Sequence, residues 1–211
     1  MSMFEAFDRV KIISLRERTD RRRIMRRELA KVGGTAEFYD AIRPGSKGPF
    51  ASPGLYGSFL SHQAIIRDAA WAGESVLIIE DDCNFLPEAK DYQVPPCDVF
   101  YGSHSEDADS IIGAHCMGFS AKAVALLDHY LSDFLHSDFE NEGNRVRPAI
   151  DGAYVWFRHR AHPELITHFA ELTYQRGSRS DCTPSHAYDK VPIVRDLAEL
   201  ARSLRPSPAQ R

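Results

Sequence analysis

Short apolar blocks alternate with longer amphipathic segments along the chain, and this alternation predicts strands and helices in turn. Strand-like blocks lie at residues 10–15 (VKIISL), 36–41 (AEFYDA), 76–79 (VLII), 98–102 (DVFYG) and 114–120 (AHCMGFS). Strands that alternate with helices are typical of an α/β three-layer sandwich around a mainly parallel sheet. We predict that fold class in a single domain over residues 1–192, followed by a C-terminal helix and a disordered tail over residues 193–211.

Helical patterns fill the spaces between these blocks. Apolar residues recur at i, i+4 and i+7 within residues 20–34, where Thr19 or Asp20 is the candidate N-cap and Gly33 the predicted end. A second helix is predicted from about residue 55 to residue 72.

The second half of the chain gives a mixed signal. Ser120 is expected to cap a third, well-patterned helix. Residues 149–157 (AIDGAYVWF) fit either a strand or a helix, and residues 174–190 are typical of a mobile flap.

Three acids, Glu80, Asp81 and Asp82, directly follow the apolar block at residues 76–79. Ligands bind at the carboxyl edge of parallel sheets, and crowded carboxylates stay ionised cheaply only when they are solvated or when a cation lies among them. Side chains alternate along a strand, so Glu80 and Asp82 are predicted to share one side, as half of a site for Mg²⁺ or Mn²⁺. The alternative is a solvated strand end.

Composition and charge narrow the class of protein. The net charge of −4 gives no global positive field for nucleic acid, and the four cysteines have no C-x-x-C spacing for zinc or redox pairing. No apolar run approaches the roughly 20 residues that cross a bilayer, and the first residues do not resemble a signal peptide. We therefore expect a cytoplasmic protein, with peripheral contact at the inner membrane left open.

Several motifs, in chain order, resemble those of glycosyltransferase family 25, the lipooligosaccharide and collagen galactosyltransferase type. VKIISLRERTDRR is similar to the family's opening strand and paired-Arg helix, EFYDA to its second strand, GLYGSFLSH to its Gly-x-x-Gly-Cys-x-x-Ser-His helix start, and VLIIEDD to its metal-binding strand end. GFSAKAVALL, AIDGAY and QRGSRSD resemble its later motifs, so the likeness spans about residues 10–181. Leu55 and Ser58 depart from the family's usual Glu and Cys.

The resemblance implies a GT-A type fold, a nucleotide-sugar donor, and Mn²⁺ or Mg²⁺ held through the E-D-D string at residues 80–82. We predict Asp82, a candidate catalytic residue, as the direct metal ligand and Glu80 as its partner on the same side, behind it or through a water. Arg16, Arg21 and Arg22 lie where the first strand ends and the helix begins, which is where a donor diphosphate is expected. The full set of predicted donor-binding residues is Ser14, Arg16, Arg21, Arg22, Asp40, Ser61, His62 and Asp81. A solvated helix face explains most of the other arginines of this segment, and an ordinary helix histidine is the alternative for His62.

The family inverts the anomeric centre, which implies a base for the acceptor hydroxyl. Asp151 is the best-placed candidate, with Glu106 and Asp107 as weaker ones, and a turn or helix cap is the alternative for an Asp beside Gly. Tyr154 and Trp156 would form an acceptor platform if they lie on a strand, or core packing otherwise.

We predict that the protein is a metal-dependent, inverting hexosyltransferase. It would move a hexose, with galactose expected, from a UDP-sugar to a glycan or lipid-linked saccharide acceptor, as in lipopolysaccharide biosynthesis. Gln175, Ser180 and Asp181 are candidates for a flap over the donor. Two alternatives stay open: a metal-dependent phosphohydrolase of nucleotide-sugars, and a non-catalytic nucleotide-sugar-binding domain. A response-regulator receiver also carries an E-D-D string, but its string lies early in the chain and precedes a helix.

Overall fold

A computed structural model describes residues 2–103, 113–140, 143 and 145–176. The elements in chain order are β1 (Arg9–Ser14), α1 (Thr19–Val32), β2 (Glu37–Asp40), α2 (Pro53–Ala72), β3 (Val76–Glu80), β4 (Cys83–Phe85), β5 (Val99–Tyr101), β6 (Cys116–Phe119), α3 (Ala121–His136), α4 (Ile150–Trp156), β7 (Thr167–Phe169) and β8 (Thr173–Gln175). A short 3₁₀ helix at Pro87–Lys90 and a π-helical turn at Phe157–Ala161 complete the set. The predicted C-terminal helix and tail, together with Glu106, Asp107, Ser180 and Asp181, lie outside the described residues.

Among the described residues, six strands form one sheet in the order β2-β1-β3-β6-β5-β7. β2, β1 and β3 are parallel neighbours, β5 and β7 are parallel to each other, and β6 alone runs antiparallel to both of its neighbours. The predicted α/β fold around a mainly parallel sheet is therefore confirmed, and the arrangement is consistent with a GT-A-like fold. The carboxyl ends of β1, β2 and β3 meet at one edge, where β6 begins.

Both faces of this sheet are covered, and β3 is buried on each. Val76 and Ile78 pack into the core that includes side chains of α2, α3 and α4, whereas Leu77 and Ile79 pack into the core that includes α1 and β4. All four side chains are 0% exposed. Burying such a side chain contributes about 1.5–3 kcal/mol, so the strand that leads into the acidic residues is firmly fixed.

Two helix caps were predicted correctly and one was not. The Ser120 hydroxyl accepts a hydrogen bond from the main-chain N–H of Ala123 and caps α3, and Gly33 ends α1 in the left-handed region at φ 67°. The prediction that Thr19 or Asp20 caps α1 is wrong, because helical hydrogen bonding begins at the carbonyl of Arg18 and Thr19 is already helical.

The helix α2 begins two residues before its predicted start. The Ser52 hydroxyl accepts a hydrogen bond from the main-chain N–H of Leu55 over 3.2 Å, and Pro53 occupies the first helical position, where its missing N–H costs nothing. No helix within the described ranges combines the length and the apolar character needed to cross a membrane.

The ambiguous segment at residues 149–157 is helical over Ile150–Trp156. Tyr154 and Trp156 therefore do not project side by side from a strand. Tyr154 is 2% exposed and belongs to the core, whereas Trp156 stacks on Phe139 with ring centroids 5.7 Å apart. Of the two alternatives for this pair, the structure shows packing of the aromatic rings and no acceptor platform.

Candidate functional site

A cavity of about 570 Å³ opens at the carboxyl edge of β1 and β3, where the sequence predicts the ligand site. Its wall is built by five stretches of chain that converge on this edge. They are residues 13–15 at the end of β1, residues 41–44 after β2, residues 53–58 at the start of α2, residues 80–82 after β3, and residues 113–115 before β6, joined by Ala149, Ile150 and Asp151 from the start of α4.

The three predicted acids lie on one wall of this cavity. β3 ends at Glu80, so Asp81 and Asp82 occupy a turn and strand alternation does not reach Asp82. The Glu80 side chain is 26% exposed, whereas Asp81 and Asp82 are 5% and 9% exposed as residues. Burial of this degree makes a solvated strand end a poor description of the site.

Asp81 is fully engaged by protein groups. The Ser14 hydroxyl donates to one of its carboxylate oxygens and the Arg21 guanidinium to the other, each over 2.6 Å. This arrangement ties β1 and α1 to the acidic turn. Asp81, one of the predicted donor-binding residues, lines the cavity and also holds Arg21 in its wall.

The negative charges of Glu80 and Asp82 are only partly neutralised by nearby arginine side chains. Burial, with the negative charge of Asp81, raises the pKa of Glu80 to about 7, although Arg21 opposes the shift. Burial and the charge of Glu80 raise the pKa of Asp82 to about 7 in the same way, against the effects of Arg21 and Arg176. The nearest Arg21–Asp82 separation is 3.8 Å. A bound cation would relieve this excess of negative charge.

One carboxylate oxygen of Asp82 has no hydrogen-bond partner among the described residues, and the other makes only a long contact. Its Oδ1 is buried and has no hydrogen-bond partner among the residues that the structure describes, and its Oδ2 accepts from the Gln175 amide over 3.4 Å. The described ranges contain no cluster of three or more His, Cys, Asp or Glu side chains ready to hold a metal. Two carboxylates suit Mg²⁺ or Mn²⁺, which take their other ligands from water and substrate phosphate.

Asp151 lies in the cavity wall at the first turn of α4. The main-chain N–H of Ala114 donates a hydrogen bond to its carboxylate. Burial, with the negative charge of Glu80, nevertheless raises the pKa of Asp151 to about 6. A carboxylate with this pKa is ionised at neutral pH and is a stronger base than an exposed Asp.

His115 is a cavity residue that sequence reasoning missed. It is 8% exposed, lines the cavity, and its Nε2 has no hydrogen-bond partner in the described part of the chain. Its main-chain carbonyl accepts from the N–H of Glu80 over 2.9 Å, so His115, which directly precedes β6, lies beside the last residue of β3. Burial lowers the pKa of His115 to about 4.

A second contact that was missed comes from β8, which pairs antiparallel with β4 and brings Gln175 against Asp82. Arg176 then donates from its main-chain N–H to the carbonyl of Asp82 over 2.7 Å and from its guanidinium to the carbonyl of Asp81 over 3.2 Å. Gln175 thus lies on a strand beside the acids. The expected flap residue is, in the described structure, part of a clamp on the acidic turn.

The remaining predicted donor-binding residues lie outside the cavity wall. Arg16 is exposed, and Arg22 donates to the carbonyl of Ser14 over 2.8 Å while it pairs with Asp40. Arg22 and Asp40 therefore brace the end of β1. The predicted site residues thus fall into two groups. Those that line the cavity are Ser14, Arg21, Glu80, Asp81, Asp82 and Asp151, and those that lie outside its lining are Arg16, Arg22, Asp40, Ser61 and His62.

Ser61 fastens the loop after β2 to α2 from behind. Its hydroxyl accepts from the main-chain N–H of Ile42 over 2.8 Å and donates to the carbonyl of Gly57 over 2.7 Å. The approach is so close that a Cβ at Gly57 would lie 2.4 Å from the carbonyl oxygen of Ile42. Ser61 and Gly57 therefore shape the cavity, and Ser61 has no surface for a donor because it is 0% exposed.

Comparisons with known proteins give distant likenesses. No family model matches the chain, and no curated protein matches it. A solved glycosyltransferase involved in the glycosylation of the major capsid of PBCV-1 is 12% identical over 76% of this chain and 82% of that one, with a TM-score of 0.46. A protein described as a glucose-1-phosphate thymidylyltransferase from Bacillus anthracis, in complex with a sucrose, is 12% identical over 93% and 77%, with a TM-score of 0.40. Likenesses this distant carry nothing about substrate or reaction, and the resemblance to family 25 depends on the motifs alone.

Proposed function

We propose that this protein is a metal-dependent glycosyltransferase that moves a hexose from a UDP-sugar to a glycan or lipid-linked saccharide acceptor. Galactose is the hexose that we expect. One observation carries the proposal: Glu80, Asp82 and Asp151 converge on one cavity at the carboxyl edge of the sheet, with Arg21 beside them. A cavity of about 570 Å³ falls within the range of small-molecule sites. The order of motifs that resemble family 25 supports the same function.

Glu80 and Asp82 are the residues that would hold Mn²⁺ or Mg²⁺. Their raised pKa values and the unpartnered Oδ1 of Asp82 fit a divalent cation. Such a cation, when bound, supplies the positive charge that stabilises a departing nucleoside diphosphate. Arg21, fixed by Asp81, adds a second positive charge to the same wall. Ser14, which also lines the cavity, holds the Asp81 carboxylate in place.

Asp151 is the proposed general base. In an inverting transfer the acceptor hydroxyl attacks the anomeric carbon, the bond from that carbon to the diphosphate oxygen breaks, and the hydroxyl proton passes to the Asp151 carboxylate. The pKa of about 6 leaves this group ionised at neutral pH. Its position on α4, in the same cavity as the acidic turn, allows donor and acceptor to share one enclosed space.

A thermal-shift screen tests the proposal. The full chain is incubated with UDP-, GDP-, CMP- and dTDP-sugars, with and without Mn²⁺, and each stabilising donor is then incubated with saccharide acceptors for product analysis. We expect Mn²⁺-dependent stabilisation by UDP-sugars that Asp82→Asn loses and that Asp133→Asn, an exposed change on α3, retains.

Each other result of the screen contradicts part of the proposal. Release of sugar phosphate or free sugar without any acceptor would identify a phosphohydrolase. Donor binding without turnover would identify a non-catalytic binder, and the absence of Mn²⁺-linked stabilisation by any nucleotide-sugar would exclude the site altogether.

A further inference from the structure

His62 lies directly behind Glu80, inside the protein and away from the cavity. The imidazole is 0% exposed. Its Nδ1 lies 2.9 Å from the hydroxyl of Tyr154 on α4, and its Nε2 lies 3.5 Å from a carboxylate oxygen of Glu80. The Nε2 has no hydrogen-bond partner among the described residues. One buried ring thus spans the space between a core tyrosine and a cavity carboxylate.

The chemistry of the three groups sets the direction of these contacts. When a cation binds Glu80, the carboxylate is ionised and only accepts hydrogen bonds, so in that state the His62 nitrogen that faces it carries the proton. A neutral imidazole has a single N–H, and Nδ1 must then accept a hydrogen bond from the Tyr154 hydroxyl. The distance of 3.5 Å from Nε2 to Glu80 is longer than the common N–H···O length of about 2.9–3.0 Å, so the hydrogen bond requires the Glu80 carboxylate to approach the ring.

We propose that His62 and Tyr154 are a positioning pair: the Tyr154 hydroxyl fixes the tautomer of His62, and the Nε2–H of His62 orients the Glu80 carboxylate toward a divalent cation. This inference rests on the proposed function, since it gives Glu80 the role of a cation ligand. Carboxylates that bind metals are commonly oriented by hydrogen bonds from residues behind them, and loss of such a partner weakens metal affinity by about 10–100-fold.

The packing around the pair suits this role. The His62 and Tyr154 rings meet edge to face, with centroids 5.7 Å apart and an interplanar angle of 74°. Tyr154 is 2% exposed and also contacts Phe119 on β6, so its hydroxyl is held in place by the core. Tyr154 follows Asp151 by one helical turn on α4. The same tyrosine therefore fixes the element that carries the proposed base.

Calorimetric titration of Mn²⁺ in the presence of UDP tests the pair. Tyr154→Phe keeps the ring and removes the hydroxyl, and we expect it to weaken Mn²⁺ affinity by about 10-fold, whereas His62→Leu should weaken it by about 10–100-fold. His62→Gln places an amide N–H near the position of Nε2 and should restore most of the affinity that leucine loses. Near-ultraviolet circular dichroism and thermal unfolding establish that each variant is folded.

A double-mutant cycle separates positioning from simple packing. If Tyr154 acts through Glu80, then Tyr154→Phe should have no further effect on the residual Mn²⁺ affinity of a Glu80→Gln protein. An equal loss in both backgrounds overturns the inference, as does wild-type affinity in Tyr154→Phe. Because Phe preserves the core, this variant decides the question even if His62→Leu does not fold.

The outcome for the wild-type protein distinguishes the two proposals. If the wild-type protein takes up no Mn²⁺ with UDP, the proposed function fails, and this inference fails with it. If the wild-type protein binds Mn²⁺ and the Tyr154 and His62 variants bind it equally well, only the positioning role is refuted.

Discussion

Replacement of Asp82 by Asn should stabilise the metal-free protein at pH 8 while it abolishes transfer. The substitution keeps the size of the side chain and removes one of two crowded negative charges. Groups that serve binding or catalysis commonly cost stability when their ligand is absent, and this turn has the features of such a site. The prediction is specific because the sign and the pH dependence both follow from the pKa of one group.

The magnitude follows from the shift in the Asp82 pKa, from an ordinary 3.8 to about 7. One pKa unit corresponds to about 1.4 kcal/mol, so an isolated group shifted this far would cost about 4 kcal/mol when ionised. This unfavourable free energy is shared with Glu80, which remains in the variant. We therefore expect Asp82→Asn to raise the free energy of unfolding by roughly 2–3 kcal/mol.

The pH window follows from linkage. The folded pKa of Asp82 is raised, so between about pH 4 and pH 7 the native state binds more protons than the unfolded state. The free energy of unfolding of the wild-type protein therefore falls as pH rises through this window, and the full cost is present above it. The advantage of Asp82→Asn should thus be large at pH 8 and nearly absent at pH 4.

Urea unfolding at both pH values, in buffer treated with a chelator, measures the difference. Asp133→Asn on the exposed face of α3 is the matched control and should change stability by less than about 0.5 kcal/mol. Saturating Mn²⁺ with UDP should reverse the order, because only the wild-type protein gains ligand-linked stability. An Asp82→Asn protein that is less stable than wild type at pH 8, or whose advantage does not depend on pH, would refute the reasoning.

Three further predictions concern neighbouring residues. Asp151→Asn should abolish transfer and leave donor-induced thermal stabilisation intact, and unchanged turnover in the variant would remove Asp151 as the base. The turnover of the wild-type enzyme should rise as the pH increases through about 6, where Asp151 ionises. Arg21→Met leaves the buried Asp81 without its cation and should cost about 3–5 kcal/mol in urea unfolding, whereas Arg23→Met on the exposed face of α1 should cost little, and equal stabilities would contradict the role of the ion pair. Gly57→Ala should cost about 1–3 kcal/mol because the added Cβ meets a main-chain carbonyl oxygen at 2.4 Å, and a protein as stable as wild type would show that the loop yields freely.

The parts of this molecule that the sequence predicted are those whose signal is local. The apolar block before Glu80 and the acids after it are contiguous, so their place at the end of a buried strand follows from composition alone. The Ser120 cap and the Gly33 stop are local in the same sense, because each depends on a few neighbouring residues.

The rest depends on pairings between distant parts of the chain. His115 faces Glu80 only because β6 runs antiparallel to β3, and Gln175 reaches Asp82 only because β8 pairs with β4. Neither strand pairing produces a periodic pattern in the sequence from which it could be predicted. Helical spacing likewise predicted that Ser61 and His62 lie near the acids, but it did not predict the direction of their side chains. Both side chains point inward: Ser61 bonds with the loop after β2, and His62 with Tyr154 in the core.

The acidic turn and the connection at residues 41–44, which both line the cavity, differ in how they are held. Side chains of Ser14, Arg21 and Arg176 fasten the turn from three separate parts of the chain. Residues 41–44, by contrast, are an irregular connection after β2, held by hydrogen bonds from the main-chain N–H groups of Ala41 and Ile42. Laboratory evolution aimed at a new donor should therefore randomise that connection and spare the turn. Under the proposed function, we expect changes at residues 41–44 to alter which nucleotide-sugar binds, while Glu80 and Asp82 keep their proposed role.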